Sequence, residues 1–389
     1  MSKYGLPYQG SKNAIAEWIV GLLPGAENFY DLFAGGCAIT HRALIEKRWK
    51  NYIANDIDDA PVLFLKAIHG ELRDEKRWIR REDFARLKDT DSYVSICWSF
   101  GNNRTTYLYS KEIEPWKKAL HYARVYGDYS LLKAFGIDSN GGRADITKHK
   151  EEYKEKYIRW WLEQQEYTKE QLDQLIANCQ NDNKKEEAEL REYLLTALKK
   201  SGLTQAEVNK RLGTQMCGHY FGQSQWAFPT EEEYKKMQAF LPLPIDYNEI
   251  VGLYRLRQSL ERLEMLESLQ RLQRLQSLES LERLEVFRKS YDEIEIKPNS
   301  VIYCDIPYEN TAVYRAGDFD HKRFYDWAAE QKEPIFISSY NIADERFEEI
   351  AAKSKTTLFS GTGAKQCTEK LYTKKGEWVH FPETIFDLL

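Results

Sequence analysis

NFYDLFAGGCAIT, residues 28–40, sets an apolar run of strand length against two adjacent glycines and then a helical pattern. A strand that turns on glycine into a helix is the opening unit of a doubly wound sheet, and the turn is where a nucleotide-like ligand can approach the backbone closely. Upstream, a helical pattern over 13–23 stops at Pro24-Gly25. Downstream, a second short strand over 51–54 leads into Asn55-Asp56. Asp56 then takes the place of the acidic residue that hydrogen-bonds a ribose in folds of this topology. Each feature alone has a bland reading, a tight turn or a surface carboxylate; together they favour a bound ligand.

The alternation returns near the C-terminus, where 300–304 and 334–339 are apolar runs separated by a helical stretch at 321–331. Strands alternating with helices imply a mainly parallel sheet covered on both faces, and the two halves are expected to share it. Between them the composition changes. Residues 151–200 are charged, spotted with aromatics such as Trp160 and Trp161, and helical in pattern. SGLTQAEVNKRLGT, residues 201–214, then places a helix starter at Thr204, apolar Ala206 and Val208, and a turn at Leu212-Gly213. Helix-turn-helix DNA readers share this layout, as do ordinary pairs of short helices around a glycine.

Residues 260–284 repeat leucine every third position, each followed by Glu or Gln. A coiled coil alternates steps of three and four, so this is not a heptad. On an α-helix the leucines wind around the axis, and a 3₁₀ helix of this length is disfavoured. A helix wrapped by other elements or by a second subunit is one reading; a tolerated repeat expansion without chemistry is the other.

With 42% hydrophobic and 30% charged residues in 389, the chain has ample material for buried cores. No stretch approaches the roughly 20 apolar residues that span a bilayer, and the first residues lack the apolar core of a secretory signal. The expectation is a cytoplasmic protein without a membrane partner. Six scattered cysteines with no CxxC pair argue for reduced, packed thiols. The net charge of -5 gives no bulk support for nucleic-acid binding, so any such surface must be local. The densest basic stretch, RDEKRWIRR at 73–81, is diluted by Asp74, Glu75, Glu82 and Asp83 and reads as a solvated helix face.

Cys304-Asp305-Ile306-Pro307-Tyr308 follows an expected strand and gathers a carboxylate, a backbone carbonyl and an aromatic ring at its C-terminal end. Here the chain resembles the Dam-type DNA N6-adenine methyltransferases. Their signatures are an aromatic-x-Gly-x-Lys segment, a D-x-F-x-G-G turn and an Asp-Pro-Pro-Tyr loop, met here as YQGSK at 8–12, DLFAGG at 31–36 and DIPY at 305–308. The order, with the target-recognition insert ahead of the catalytic loop, is that of the family's alpha group. The resemblance covers about residues 1–65 and 285–389.

It implies a Rossmann-like α/β sheet dependent on S-adenosylmethionine, with a large, mainly helical target-recognition insert. The division would be 1–70 and 285–389 for the catalytic domain and 71–284 for the insert. Tyr8, Lys12 and Asp31 would meet the cofactor, Phe33, Gly35 and Gly36 would line its methionine side, Asp56 would bind the ribose, and Tyr291 would flank the adenine. Where the family often has Asp before that aromatic, this chain has Ser290.

The chemistry accounts for the loop. An exocyclic adenine amine is a poor nucleophile because its lone pair is delocalised into the ring. If Asp305 and the carbonyl of Ile306 accept its two N–H bonds, the lone pair is freed toward the sulfonium methyl, S-adenosylhomocysteine is the product, and no metal is required. Tyr308 would stack on a base flipped from the duplex. Ile306 replaces the family's first proline, so the loop must be held by its surroundings rather than by a fixed φ.

In this context 201–216 becomes the expected reader of double-stranded DNA. Thr214, Gln215, His219 and Gln223 would reach base edges, while Lys210 and Arg211 would meet phosphates. Asn102 and Arg104, in an aromatic and amide segment, would line the flipped-base pocket, with packing the other reading. The expected activity is adenine-N6 methylation; an N4-cytosine enzyme or an inactive DNA-binding fold are the alternatives. A restriction endonuclease partner and an orphan role are both open.

Overall fold

The structure is a computed structural model describing residues 4–138, 146, 148–164, 183–214, 216–222, 227–243, 260, 283–308, 319–359 and 363–377. The chain divides into two compact units. One comprises Met1–Leu108, Met265–Thr356 and Gln366–Leu389; the other comprises Tyr109–Glu264 and Thr357–Lys365.

The first unit carries a seven-stranded sheet formed by β1 (Asn28–Asp31), β2 (Asn51–Asp56), β3 (Leu284–Arg288), β4 (Ser300–Cys304), β5 (Ile335–Ser339), β6 (Phe347–Phe359) and β7 (Gly363–Lys374). Its order is β3-β2-β1-β4-β5-β7-β6, so the two ends of the sequence do form one sheet. Pairing is parallel from β3 through β5, and β7 runs antiparallel to β5. Every residue of β1, β4 and β5 is buried, as expected of parallel strands covered on both faces. Tyr30, Ile302, Cys304, Ile335 and Ile337 pack with Phe324, Tyr325 and Ala328 of the helix His321–Glu330. Helices α1 (Ala16–Leu22), α2 (Ala38–Glu46) and α3 (Ala60–Ile68) bury most of their apolar positions in the same unit, with Ile45 exposed.

Two differences from the sequence reading have physical causes. Leu284, the last leucine of the triplet repeat, begins β3 opposite Tyr52. β3 is an edge strand with exposed Glu285 and Arg288, so it lacks the apolar signal of a central strand. The remainder of the repeat lies outside the described residues, Leu260 and Arg283 excepted. RDEKRWIRR is not a helix: only Arg81 enters one, α4 (Arg81–Leu87). Its cations are instead absorbed locally, Arg77 by Glu75 and Asp91 and Arg80 by Asp83, while Trp78 packs edge-on against Trp98.

Of the second unit, Thr357–Lys365 holds the adjoining ends of β6 and β7, and Tyr109–Glu264 is mainly helical where described, with helices at Glu114–His121, Lys150–Glu163, Asn183–Ser201, Gln205–Leu212, Cys217–Phe221 and Glu231–Gln238. Thr204 and Thr230 each form a reciprocal capping box, with Glu207 and Glu233, which fixes where their helices begin. Leu194, Val208, Cys217, Tyr220, Phe221, Tyr234 and Met237 share one core. Val208 is buried as its spacing suggested, whereas Ala206 faces solvent. No helix among the described residues is long and apolar enough to cross a membrane.

Candidate active site

The register of β1, β2 and β4 sets Asp31 beside Ala54 and Tyr303. Asp56 ends β2 and Asp305 follows β4, so three carboxylates gather at the carboxyl ends of adjacent parallel strands. The strand order reverses there, between β1 and β4, and such a reversal opens a crevice. A cavity of about 360 Å³ lies in it, lined by Tyr8, Lys12, Phe33, Gly35, Gly36, Tyr291 and the three carboxylates among others.

The glycine turn explains how the backbone comes so close. Ala34 N–H donates to the Asn55 carbonyl at 2.9 Å and Gly35 N–H to Asp56 Oδ2 at 2.8 Å, tying the turn to the end of β2. Leu6 N–H donates to the Gly36 carbonyl at 2.7 Å, which lays the segment carrying Tyr8 across the turn. A Cβ on Gly36 would stand 2.5 Å from Tyr8 Cβ, so no side chain fits at that position. Gly35, at φ +46°, occupies the left-handed region that favours glycine.

Asp31 is buried, and its Oδ2 accepts from both the backbone N–H and the hydroxyl of Thr40, at 3.1 and 2.6 Å. Its Oδ1 is buried without a hydrogen-bond partner and belongs to a residue lining the cavity. Burial pushes its pKa up to about 7, against the opposing effect of the Thr40 bonds. Burial likewise raises Asp56 to about 6, against the N–H bonds from Asp58 and Gly35.

Phe33 and Tyr291 stack with ring centroids 5.4 Å apart, and Phe319 meets Phe33 edge-on at 5.7 Å. Ser290 donates its hydroxyl to Asp292, whose other oxygen accepts from Arg323. The acid beside the aromatic therefore follows Tyr291 in this chain, with Ser290 bonded to it.

Beyond β4, Lys12 Nζ stands 2.7 Å from Asp305 Oδ1 and 3.8 Å from Glu369 Oε1. It also lies over the Tyr308 ring, 4.8 Å from the centroid. The Tyr308 hydroxyl donates to Glu369 and lies 3.4 Å from Asp305, and its ring meets Tyr340 edge-on at 4.5 Å. Burial, then the charges of Asp305 and Glu369, push the Tyr308 phenol far above its ordinary pKa, so it remains a donor. Glu369 is fully buried. The pairing of Ser339 with Lys370 in β5 and β7 brings it beside the end of β5. Sequence reasoning did not single it out, since a lone glutamate in a polar run gives no local sign of its burial. Ile306 is 2% exposed within the apolar core, and His321 Nε2 bonds the Pro307 carbonyl at 2.7 Å. Packing and that bond hold the loop where the family uses proline.

Arg104 turns inward: it is 6% exposed and paired with Asp58 and Asp59. Asn102 donates to the Ile96 carbonyl at 2.9 Å. In the second unit, Gln205–Leu212 and Cys217–Phe221 form two helices about Gly213, which has φ +69°. Asn209 Oδ1 accepts from Cys217 N–H at 3.0 Å, and Thr214 Oγ1 from Met216 N–H at 3.2 Å, so both side chains shape the turn. Lys210 and Arg211 are exposed and His219 is half-buried. Gln215 and Gln223 lie outside the described residues.

A mostly parallel, glycine-turned sheet with carboxylates at three adjacent strand ends is a Rossmann-like arrangement with a crevice at the point where the strand order reverses. The sequence pattern of the D12 class of N6 adenine-specific DNA methyltransferases matches residues 8–240, more than half of the chain. The chain belongs to that family: it is a sequence-specific enzyme that methylates adenine in DNA. The match spans the glycine turn and Asp56 and ends ahead of the Asp305 loop. No curated protein matches the chain significantly.

Proposed function

We propose that the cavity holds S-adenosylmethionine and that Asp305, with the Ile306 carbonyl, captures the amine of the target adenine. The observation carrying this reading is the Asp305 carboxylate, held by Lys12 at the cavity lining immediately beyond β4. The residues present suit the cofactor. The spare buried oxygen of Asp31 matches an ammonium group, Asp56 offers acceptors to ribose hydroxyls, and Phe33 with Tyr291 offers apolar faces to a purine. When bound, S-adenosylmethionine supplies an electrophilic methyl.

The chain's own residues do the rest. Lys12 draws Asp305 into one position and sets a positive charge between it and the buried carboxylate of Glu369. Asp305 and the Ile306 carbonyl accept the two amine N–H bonds, which stabilises positive charge developing on nitrogen. Tyr308, its hydroxyl tied to Glu369, presents a fixed ring to a base that has left the duplex. The helix pair at 205–221 reads the DNA sequence through Thr214, Gln215, His219 and Gln223, with Lys210 and Arg211 on phosphates.

Incubation with DNA and tritiated cofactor, followed by nucleoside analysis, tests the reading, with N6-methyladenine as the expected product. N4-methylcytosine as sole product, or site-specific DNA binding without methylation, would overturn it. Asp305→Ala should lower kcat by roughly 100-fold or more, since a preorganised acceptor of this kind contributes about 3 kcal/mol to the transition state. Its affinity for S-adenosylhomocysteine should stay within a few-fold of wild type, because Asp305 acts on the amine. Turnover like wild type would refute its role.

A further inference from the structure

Arg104 is a buried charged group whose geometry neither the cofactor nor the target base explains. Its guanidinium donates to Asp58 and to Asp59, and Nε donates to Ser95 Oγ at 3.2 Å. Its charge also acts on the Tyr8 phenol, favouring ionisation against the larger opposing effect of burial. Its backbone N–H donates to Ser99 Oγ at 2.9 Å, and its φ of +64° is unusual for a residue other than glycine.

These bonds join two pieces of the first unit. One is the corner after β2, where Asp58 N–H donates to Asp56 Oδ1 at 2.9 Å and Ala60 N–H to Asp58 Oδ1 at 3.0 Å. Asp56 in turn holds the Gly35 N–H, so the corner is continuous with the glycine turn. The other is a hairpin-like loop, closed by the bridge between Ser99 and Tyr107 and by Phe100 N–H donating to the Thr106 carbonyl at 2.9 Å. The loop displays Phe100, 57% exposed, beside that closure.

The electrostatics make the arginine necessary. Asp56, Asp58 and Asp59 crowd three carboxylates into four residues at a half-buried corner, where water screens their mutual repulsion only in part. A planar cation with several donors in a fixed fork can neutralise two of them at once, which a lysine cannot reproduce.

We propose that Arg104 is a positioning residue of the cofactor site. It locks the Asp56–Asp59 corner in place and ties to it the loop bearing Phe100, so that filling the site and ordering the loop are linked. The inference rests on the reading that the cavity binds S-adenosylmethionine.

The test combines calorimetric titration with S-adenosylhomocysteine and amide hydrogen exchange, on wild type and Arg104→Met. Binding to Arg104→Met should weaken about tenfold or more, while kcat at saturating cofactor stays within about threefold, the pattern of lost ground-state positioning. Arg104→Lys should recover only part of the affinity. Without ligand, exchange in 56–60 and 99–107 should rise together in Arg104→Met. With ligand, wild type should gain protection in both segments and the variant in 56–60 alone.

Wild-type affinity in Arg104→Met, or faster exchange in one segment only, would overturn the proposal. Should wild type itself fail to bind S-adenosylhomocysteine, the cofactor reading falls, and the ligand-free exchange still decides whether Arg104 joins the two segments. If Arg104→Met does not fold, Asp59→Asn removes one partner and keeps the cation. It should show the same paired rise in exchange at smaller amplitude, and its absence would refute the tie.

Discussion

Replacing Asp31 by Asn should stabilise the protein and weaken its cofactor binding, both more strongly as pH rises. Asp31 is buried, with Oδ2 satisfied by Thr40 and Oδ1 left open. Burial lifts its pKa to about 7. Moving a carboxyl from its unfolded value near 4 to about 7 corresponds to about 4 kcal/mol lost from folding once both states are ionised. The sign follows from which state ionises first. Below pH 4 the group is neutral folded and unfolded, and no stability is lost. Between pH 4 and 7 the unfolded chain ionises while the native one resists, so stability falls with rising pH; above 7 the loss is complete.

Asn carries no such slope, and its side-chain oxygen can still accept both Thr40 bonds. The gain of Asp31→Asn over wild type should therefore grow by about 2 to 3 kcal/mol between pH 5 and pH 8. Urea unfolding followed by tryptophan fluorescence at the two pH values measures it. The Asn NH₂ then occupies the position of the open oxygen and meets an ammonium group with the wrong polarity. Titration with S-adenosylmethionine at pH 8 should show the loss. A stability difference that does not change with pH, or a variant less stable than wild type at pH 8, would refute the account of Asp31 as a strained, ligand-facing carboxylate.

Gly36→Ala should raise the KM for S-adenosylmethionine with little change in kcat, because the new Cβ, 2.5 Å from Tyr8 Cβ, must displace the segment laid over the glycine turn; unchanged steady-state kinetics would count against that packing. Ile306→Ala should cost about 2 to 4 kcal/mol in chemical denaturation and lower kcat as the loop loosens, since Ile306 is buried in the core and has no ring to fix its own φ. Lys210→Ala with Arg211→Ala should weaken cognate and noncognate DNA alike and reduce the salt dependence of binding by about one counterion per lost phosphate contact, as read by fluorescence anisotropy across a salt series.

The central strands, the glycine turn, Asp31, Asp56 and the Asp305 loop were legible because local chemistry specifies them. A buried parallel strand must be continuously apolar, a turn that admits a ligand needs glycine, and a carboxylate at a strand end has few other reasons to be there. The helix pair about Gly213 was legible for the same reason, since its caps are set by neighbours three residues away. The remaining features depend on residues far apart in the chain. β3 is a strand because β2 pairs with it, not because of its charged sequence. Lys12 finds Asp305 and Glu369 only after β1, β4, β5 and β7 share a sheet, which brings positions hundreds of residues apart within hydrogen-bonding distance. On sequence alone Arg104 reads as lining a flipped-base pocket or packing, and only the fold places two carboxylates of the β2 corner against it. A side chain's partner is a property of the packed chain, because electrostatic and hydrogen-bond energies act over a few ångströms in space and are indifferent to distance along the sequence.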